Sequence, residues 1–139
     1  MVIDPNTELG KRALERIASE DAVWLTTVDA NNMPQPRPIW FLWDQDTFLF
    51  YTKPSYAKLK QIARNPNVSI NFDSGEHNED LVVFLGTAAV DPTVMPADQN
   101  VAYMQKYGKD LPRIGFTAER YAAEYSVAVR ITPIKLRSF

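Results

Sequence analysis

The sequence predicts a mainly β protein with flanking helices, in which six antiparallel strands form a meander that closes into a small barrel. Two observations lead there. Short runs rich in β-branched and aromatic residues recur along the 139-residue chain, and such residues favour strands. Only one helical stretch interrupts the early strands, too few crossovers for a parallel sheet.

The first element, by contrast, is a helix. Asp4 or Asn6 can cap it and Pro5 suits its first turn. Leu9, Ala13 and Ile17 then recur every four residues on one face. AVWLTTV (22–28) is the first strand, and Asp29-Ala30-Asn31-Asn32 supplies a turn. PQPRPIWFLW (34–43) is the second, its early prolines ruling out full pairing there. Asp44-Gln45-Asp46 turns the chain into TFLFYT (47–52). A short helix follows over 55–64 with Leu59, Ile62 and Ala63 inward. NVSINF (67–72) and LVVFLGTAAV (81–90) flank a polar loop, helices are expected over 96–107 and 117–125, and SVAVRITPIKLRSF is the sixth strand. No repeat or linker divides the chain, so 1–139 reads as a single domain.

The second strand is apolar on both faces: Ile39, Phe41 and Trp43 alternate with Pro38, Trp40 and Leu42. One face can fill a barrel, and the other needs a cover. A second subunit or the N-terminal helix could provide it, and the homodimer is the expectation adopted.

Bulk composition excludes several classes. A net charge of −2 gives no global footprint for nucleic acid. The absence of cysteine removes disulfides and thiol chemistry and leans toward a reducing compartment. The polar N-terminus lacks the apolar core of a signal peptide, and no apolar run approaches the ~20 residues of a membrane span. A cytoplasmic protein is expected. His77 is the one histidine, so His-dependent triads have no basis, and Glu76, Glu79 and Asp80 match no calcium loop. With so little acid–base machinery, any enzyme here would rely on a cofactor.

The stretch YTKPSYAK (51–58) is where chemistry concentrates. With Ser55 as N-cap, the N–H groups of Tyr56, Ala57 and Lys58 would face outward, where phosphate is favoured. Lys58 in the first turn and Lys53 at the strand end add positive charge, which opposes the helix dipole unless an anion is held there. A capped surface helix with solvated lysines accounts for the same residues. Arg37 lies in an otherwise apolar strand, where a charge needs a partner. A hairpin across Asp44-Gln45-Asp46 would bring Arg37 near Thr52 and this site. Trp40, Phe41, Trp43, Phe48, Phe50 and Tyr51 could wall a planar ligand or simply form core.

Three blocks, PxPxPIWFLWD (34–44), FLFYTKPSYAKLKQIARNPNVS (48–69) and LVVFLGTAAVD (81–91), carry a resemblance covering nearly the whole chain. They resemble the split β-barrel, FMN-binding-type proteins related to pyridoxamine 5′-phosphate oxidase, and most of all their small deazaflavin (F-420) branch. The resemblance implies a homodimer with cofactor at the subunit interface and a hydride-transferring oxidoreductase acting on a small-molecule acceptor. An FMN-dependent oxidase or reductase and a non-catalytic carrier are the alternatives. It also implies that Lys58 contacts the cofactor phosphate, with Tyr51, Thr52, Lys53 and Ser55 around it. Arg37, Pro38, Ile39, Trp40 and Phe41 would line the ring, mainly through backbone, with Trp40 and Tyr125 bordering the substrate face. Leu42 stands where pyridoxamine 5′-phosphate oxidases have a basic residue, and Leu136-Arg137-Ser138-Phe139 lacks their Arg/His segment. Pyridoxal phosphate synthesis is therefore not expected.

Overall fold

Seven strands, rather than six, make up one antiparallel sheet in the computed structural model, which describes residues 2–75 and 77–138. The strands are β1 (Ala22–Val28), β2 (Pro34–Trp40), β3 (Leu42–Asp44), β4 (Thr47–Thr52), β5 (Asn67–Asn71), β6 (Val83–Val90) and β7 (Val127–Arg137). Their order across the sheet is β2-β1-β5-β6-β7-β4-β3. The chain passes from one edge of that sheet to the other through the single residue Phe41, which rolls the sheet into a split barrel.

The extra strand comes from dividing the run 34–43. Its first part pairs with β1, Arg37 opposite Leu25, and its second pairs with β4, Leu42 opposite Leu49. Only the second part forms the expected hairpin, across a two-residue turn in which Gln45 and Asp46 both have positive φ. At the break, the Tyr107 hydroxyl accepts from Phe41 N–H at 2.8 Å and lies 2.7 Å from the carbonyl oxygen of Asp21. The Phe41 carbonyl accepts from Lys106 Nζ at 2.8 Å. Side chains thus replace the ladder where no strand neighbour exists.

The described helices are α1 (Glu8–Ser19), α2 (Ala57–Arg64), α3 (Val101–Tyr107) and α4 (Ala118–Glu124). Thr7, not Asp4 or Asn6, caps α1, its hydroxyl accepting from Gly10 N–H at 3.0 Å. Gly10 itself has no alternative, since a Cβ there would sit 1.7 Å from the carbonyl oxygen of Asp4. In α2 Ile62 is buried and Leu59 half-buried, but Ala63 faces out.

Two apolar clusters hold the molecule. Leu25, Phe41, Phe48, Ile70, Phe84 and Val129 fill the barrel, with Ala13 and Ile17 of α1 packed among them. The second cluster joins Leu49 and Tyr51 to Tyr103, Tyr107 and Tyr121 of the later helices. Each fully buried aromatic or branched side chain contributes about 1.5–3 kcal/mol. Trp40 and Leu42 pack into this second cluster. Trp40 and Leu42, on the outward side of the 34–43 run, are therefore partly covered by residues 97–125 of the same chain, while Pro38 on that side stays exposed.

Candidate functional site

Strand β4 ends at Thr52, and α2 begins five residues later. Lys58 and Gln61 lie three apart on α2, hence on one face, and that face meets the β1–β2 pair. Alternation along paired strands sends Thr27 and Arg37 to the same side of the sheet as Leu25 and Ile39. Arg37 consequently donates to Thr27 Oγ1 at 3.0 Å and to Gln61 Oε1 at 3.2 Å. Lys58 Nζ donates to Thr52 Oγ1 at 3.3 Å. Arg37 and Lys58 are thus brought together, although by barrel closure through α2 and not by the expected hairpin.

The electrostatics of this corner are lopsided. Burial, and then the positive field of Arg37, push the Lys58 amine down to about 8. Burial also lowers the Arg37 guanidinium. Among the described residues, no carboxylate lies within ion-pair distance of either group. Two half-buried like charges without a counter-ion raise the energy of the folded chain. A bound anion would relieve that cost.

The helix start contributes as well, with one change. Tyr56, in an extended conformation, is the N-cap of α2 and gives no side-chain cap, while Ser55 is exposed. First-turn N–H groups therefore receive no side-chain acceptor from the cap. Lys53, unlike Lys58, has an acidic partner. Its ammonium pairs with Glu124 at 3.4 Å and sits over the rings of Tyr56 and Tyr125, 5.7 and 5.4 Å from their centroids. Lys53 is already neutralised, and Lys58 is not.

Beside Lys58 opens a cleft of about 230 Å³. Pro38, Ile39 and Trp40 form one wall, and Tyr121 and Tyr125 of the α4 segment form another. Ile114 and Tyr56 stand at its rim, both partly exposed. Trp40 is held by stacking on Tyr107, with centroids 4.5 Å apart and planes 7° from parallel. Burial raises the Tyr125 phenol to about 12, so it is a neutral hydrogen-bonding group at ordinary pH. Larger concavities exist elsewhere, at about 470–490 Å³, but Lys58 lines none of them, and Arg37 lines neither these nor the Lys58 cleft itself.

Not every expected residue reaches the cleft. The Phe41 ring is buried in the barrel and its backbone is engaged by Tyr107 and Lys106, so it offers a ligand no free group. Tyr51 borders the cleft, but its hydroxyl is tied to Met95 O and Asn100 Nδ2 at 2.9 and 3.1 Å. Thr27, Gln61, Ile114 and Tyr121 were not anticipated, and the Tyr56 N–H, expected to face outward, donates instead to the Lys53 carbonyl at 3.1 Å. Gln61 was accessible in principle, lying three residues from Lys58 on a helix. Of the loop acids, Glu76 lies outside the described residues, and no metal-binding cluster of His, Asp or Glu occurs among the described residues. No described helix is long and apolar enough to cross a membrane.

A split barrel with flanking helices and a cationic corner at its β4–α2 junction defines the class. The chain belongs to the pyridoxamine 5′-phosphate oxidase family, whose model matches residues 9–138. No curated protein sequence matches it. Solved structures share its fold at low identity. An FAD-binding protein from Mesorhizobium loti is 18% identical with a TM-score of 0.65, 88% of each chain being covered. An F-420 reductase is 19% identical with a TM-score of 0.59, covering 84% of this chain and 88% of its own. The heme storage protein HutZ from Vibrio cholerae is 18% identical with a TM-score of 0.63, 94% of each chain being covered.

Proposed function

We propose that the protein is an oxidoreductase that binds the deazaflavin F-420 at the Arg37–Lys58 corner and supports hydride transfer to a small organic acceptor. The observation that carries this reading is the pair of half-buried cations without a carboxylate partner, next to a cleft walled by aromatic rings. Arg37 and Lys58 would hold the cofactor phosphate, and the start of α2 would add backbone donors. Pro38 to Trp40 would support the ring, with Tyr121 and Tyr125 across the cleft. When bound, the deazaflavin supplies the hydride.

The cleft is smaller than the roughly 300–1,000 Å³ that encloses a typical organic ligand. A second copy of the chain closing over it, a homodimer with cofactor at the interface, would complete the enclosure. FMN is the alternative cofactor, because it carries a phosphate and a similar ring, and the FAD-binding neighbour favours a flavin. A non-catalytic carrier is the further reading, favoured by the absence, among the described residues, of any histidine or carboxylate lining the cleft.

Parallel titrations of the purified protein with F-420 and FMN, read by tryptophan fluorescence, test the reading. Tight F-420 binding and slight FMN binding are expected, and Lys58→Ala should weaken it by about 1.5–3 kcal/mol, roughly 10- to 150-fold. Preference for FMN would move the protein to the flavin-dependent group. Binding of neither, in a folded protein, would end the cofactor proposal. Reduction of an added acceptor by the loaded protein then separates an enzyme from a carrier.

A further inference from the structure

A second lysine is unusual, and it lies away from the proposed cofactor corner. Lys106 on α3 lines a separate cleft of about 490 Å³ between that helix and the C-terminal end of α1. Leu14, Ile17, Leu42 and Trp43 give this cleft apolar walls, while Asp21 and Lys109 stand at its polar side. The Lys106 nitrogen is 3.6 Å from the centroid of the Phe41 ring and 5.2 Å from that of Tyr107. Its hydrogen-bond acceptor is the Phe41 carbonyl, at 2.8 Å. The Tyr107 hydroxyl lies 2.8 Å from the same oxygen but shares its one proton with the Asp21 carbonyl; a neutral Lys106 amine still carries N–H donors for the Phe41 carbonyl, so closing the strand break does not require an ammonium. Among the described residues, Lys106 forms no ion pair.

We infer that the α1–α3 cleft is a carbonyl-capturing site, in which the Lys106 amine condenses reversibly with a small apolar aldehyde to form an imine. The nitrogen lone pair attacks the carbonyl carbon, and the C–O π pair moves to oxygen, which takes a proton that nitrogen loses. The C–O bond then breaks, the hydroxyl departs as water with a second proton from nitrogen, and a C=N bond forms. Amine and aldehyde give imine and water, with no electrons exchanged, so no redox partner is needed.

Three features favour the step. The attacking amine must be neutral. Burial holds Lys106 down at about 8, against the upward pull of Asp21, so roughly one molecule in ten carries the free amine at pH 7. An ordinary lysine near 10.5 has less than about one in a thousand. Leu14, Ile17, Leu42 and Trp43 line the same cleft as Lys106 and can receive a hydrocarbon chain, which an exposed lysine cannot offer. Glu20, the other acid of the cleft, is engaged by Arg16 at 2.8 Å and leaves Lys106 unneutralised.

The intact protein can be treated at pH 7 with hexanal and cyanoborohydride, which fixes each imine as a stable secondary amine, and every lysine quantified by peptide mass spectrometry. Lys106 should be alkylated at least about tenfold faster than the exposed Lys11 and Lys60, and that preference should vanish in urea. Ala18→Trp, at an exposed position of α1 lining the cleft, should slow hexanal labelling of Lys106 while leaving formaldehyde labelling unchanged. Labelling of Lys106 no faster than of Lys60 would overturn the site. So would hexanal labelling indifferent to Ala18→Trp in a folded variant.

Discussion

Two corners of the barrel treat an arginine in opposite ways. Arg130 on β7 donates to Asp91 at 2.8 Å, pairs with Asp44 at 3.0 Å, and donates to the Thr47 hydroxyl at 3.0 Å. Its charge is matched within the chain, tying β7 to the β3–β4 turn and to the segment after β6. Arg37 on β2 has only neutral partners, Thr27 and Gln61, and shares its surroundings with a second cation, Lys58. The matched corner is built for stability. The unmatched one costs stability, a cost expected where a protein is preorganised for an external anion.

The sharpest way to break this contrast is to empty the unmatched corner. The double change Arg37→Met with Lys58→Ala should reduce cofactor affinity by about 3 kcal/mol or more, two orders of magnitude and upward, since each charge-assisted contact contributes about 1.5–3 kcal/mol. Thermal stability measured without ligand should stay level or rise. A drop in unliganded stability would show that the two cations are structural after all.

Removing Arg130 should do the reverse. Arg130→Met is expected to cost about 1–3 kcal/mol in a denaturant titration, because two carboxylates lose their partner in a half-buried setting. Cofactor affinity in the folded variant should stay near that of the parent. A variant as stable as the parent would make Arg130 a surface residue in energetic terms.

The two corners should both gain stability as pH rises, but in separate windows. Asp91 is held down at about 2 by the Thr93 hydroxyl first and Arg130 second. Its folded value lies below its unfolded one, so its contribution is present above about pH 4 and lost as pH falls toward 2. Lys58 is a base whose folded value is lowered to about 8 from 10.5. Between those values the unfolded chain binds more protons, so stability should rise with pH across that window, and Lys106 should reinforce the trend. Anion affinity should move the other way, weakening by up to tenfold per pH unit once Lys58 gives up its proton. Thermal melts and titrations at pH 7, 9 and 10 check both signs.

The smallest effect belongs to Arg120 on α4, which pairs with Glu124 in an exposed i,i+4 contact at 3.1 Å. Arg120→Ala should change stability by no more than about 0.5 kcal/mol. A larger loss would show that Glu124, which also holds Lys53, organises the cleft wall through that pair.

Particular residues show how much of this was legible in the chain. The Asp44-Gln45-Asp46 turn, the junction after Thr52 and the periodicity of α1 are local patterns, and they can be read directly. Lys58 stood out because a cation at a helix start opposes the dipole. The division of 34–43 into β2 and β3 was not legible, because PRPIWFLW stays apolar through Phe41 and no Gly marks the break. Pairing decided it: the β1 ladder ends at Trp40 and the β4 ladder begins at Leu42. Lys53 and Lys58 were both read as adding positive charge to one site. Glu124, more than sixty residues away, separated their roles.

The sequence by itself determined that this is a single antiparallel β system with cations gathered near 51–58, because side-chain alternation, turn residues and helix-end charges act over a few residues. Tertiary structure alone decided which cations go unmatched, which face of the 34–43 run the later helices cover, and how Tyr107 and Lys106 close the strand break. Those outcomes depend on carboxylates, hydroxyls and rings brought together from distant segments. Their energies fall off within a few ångströms of space, and that distance is fixed only when the barrel closes.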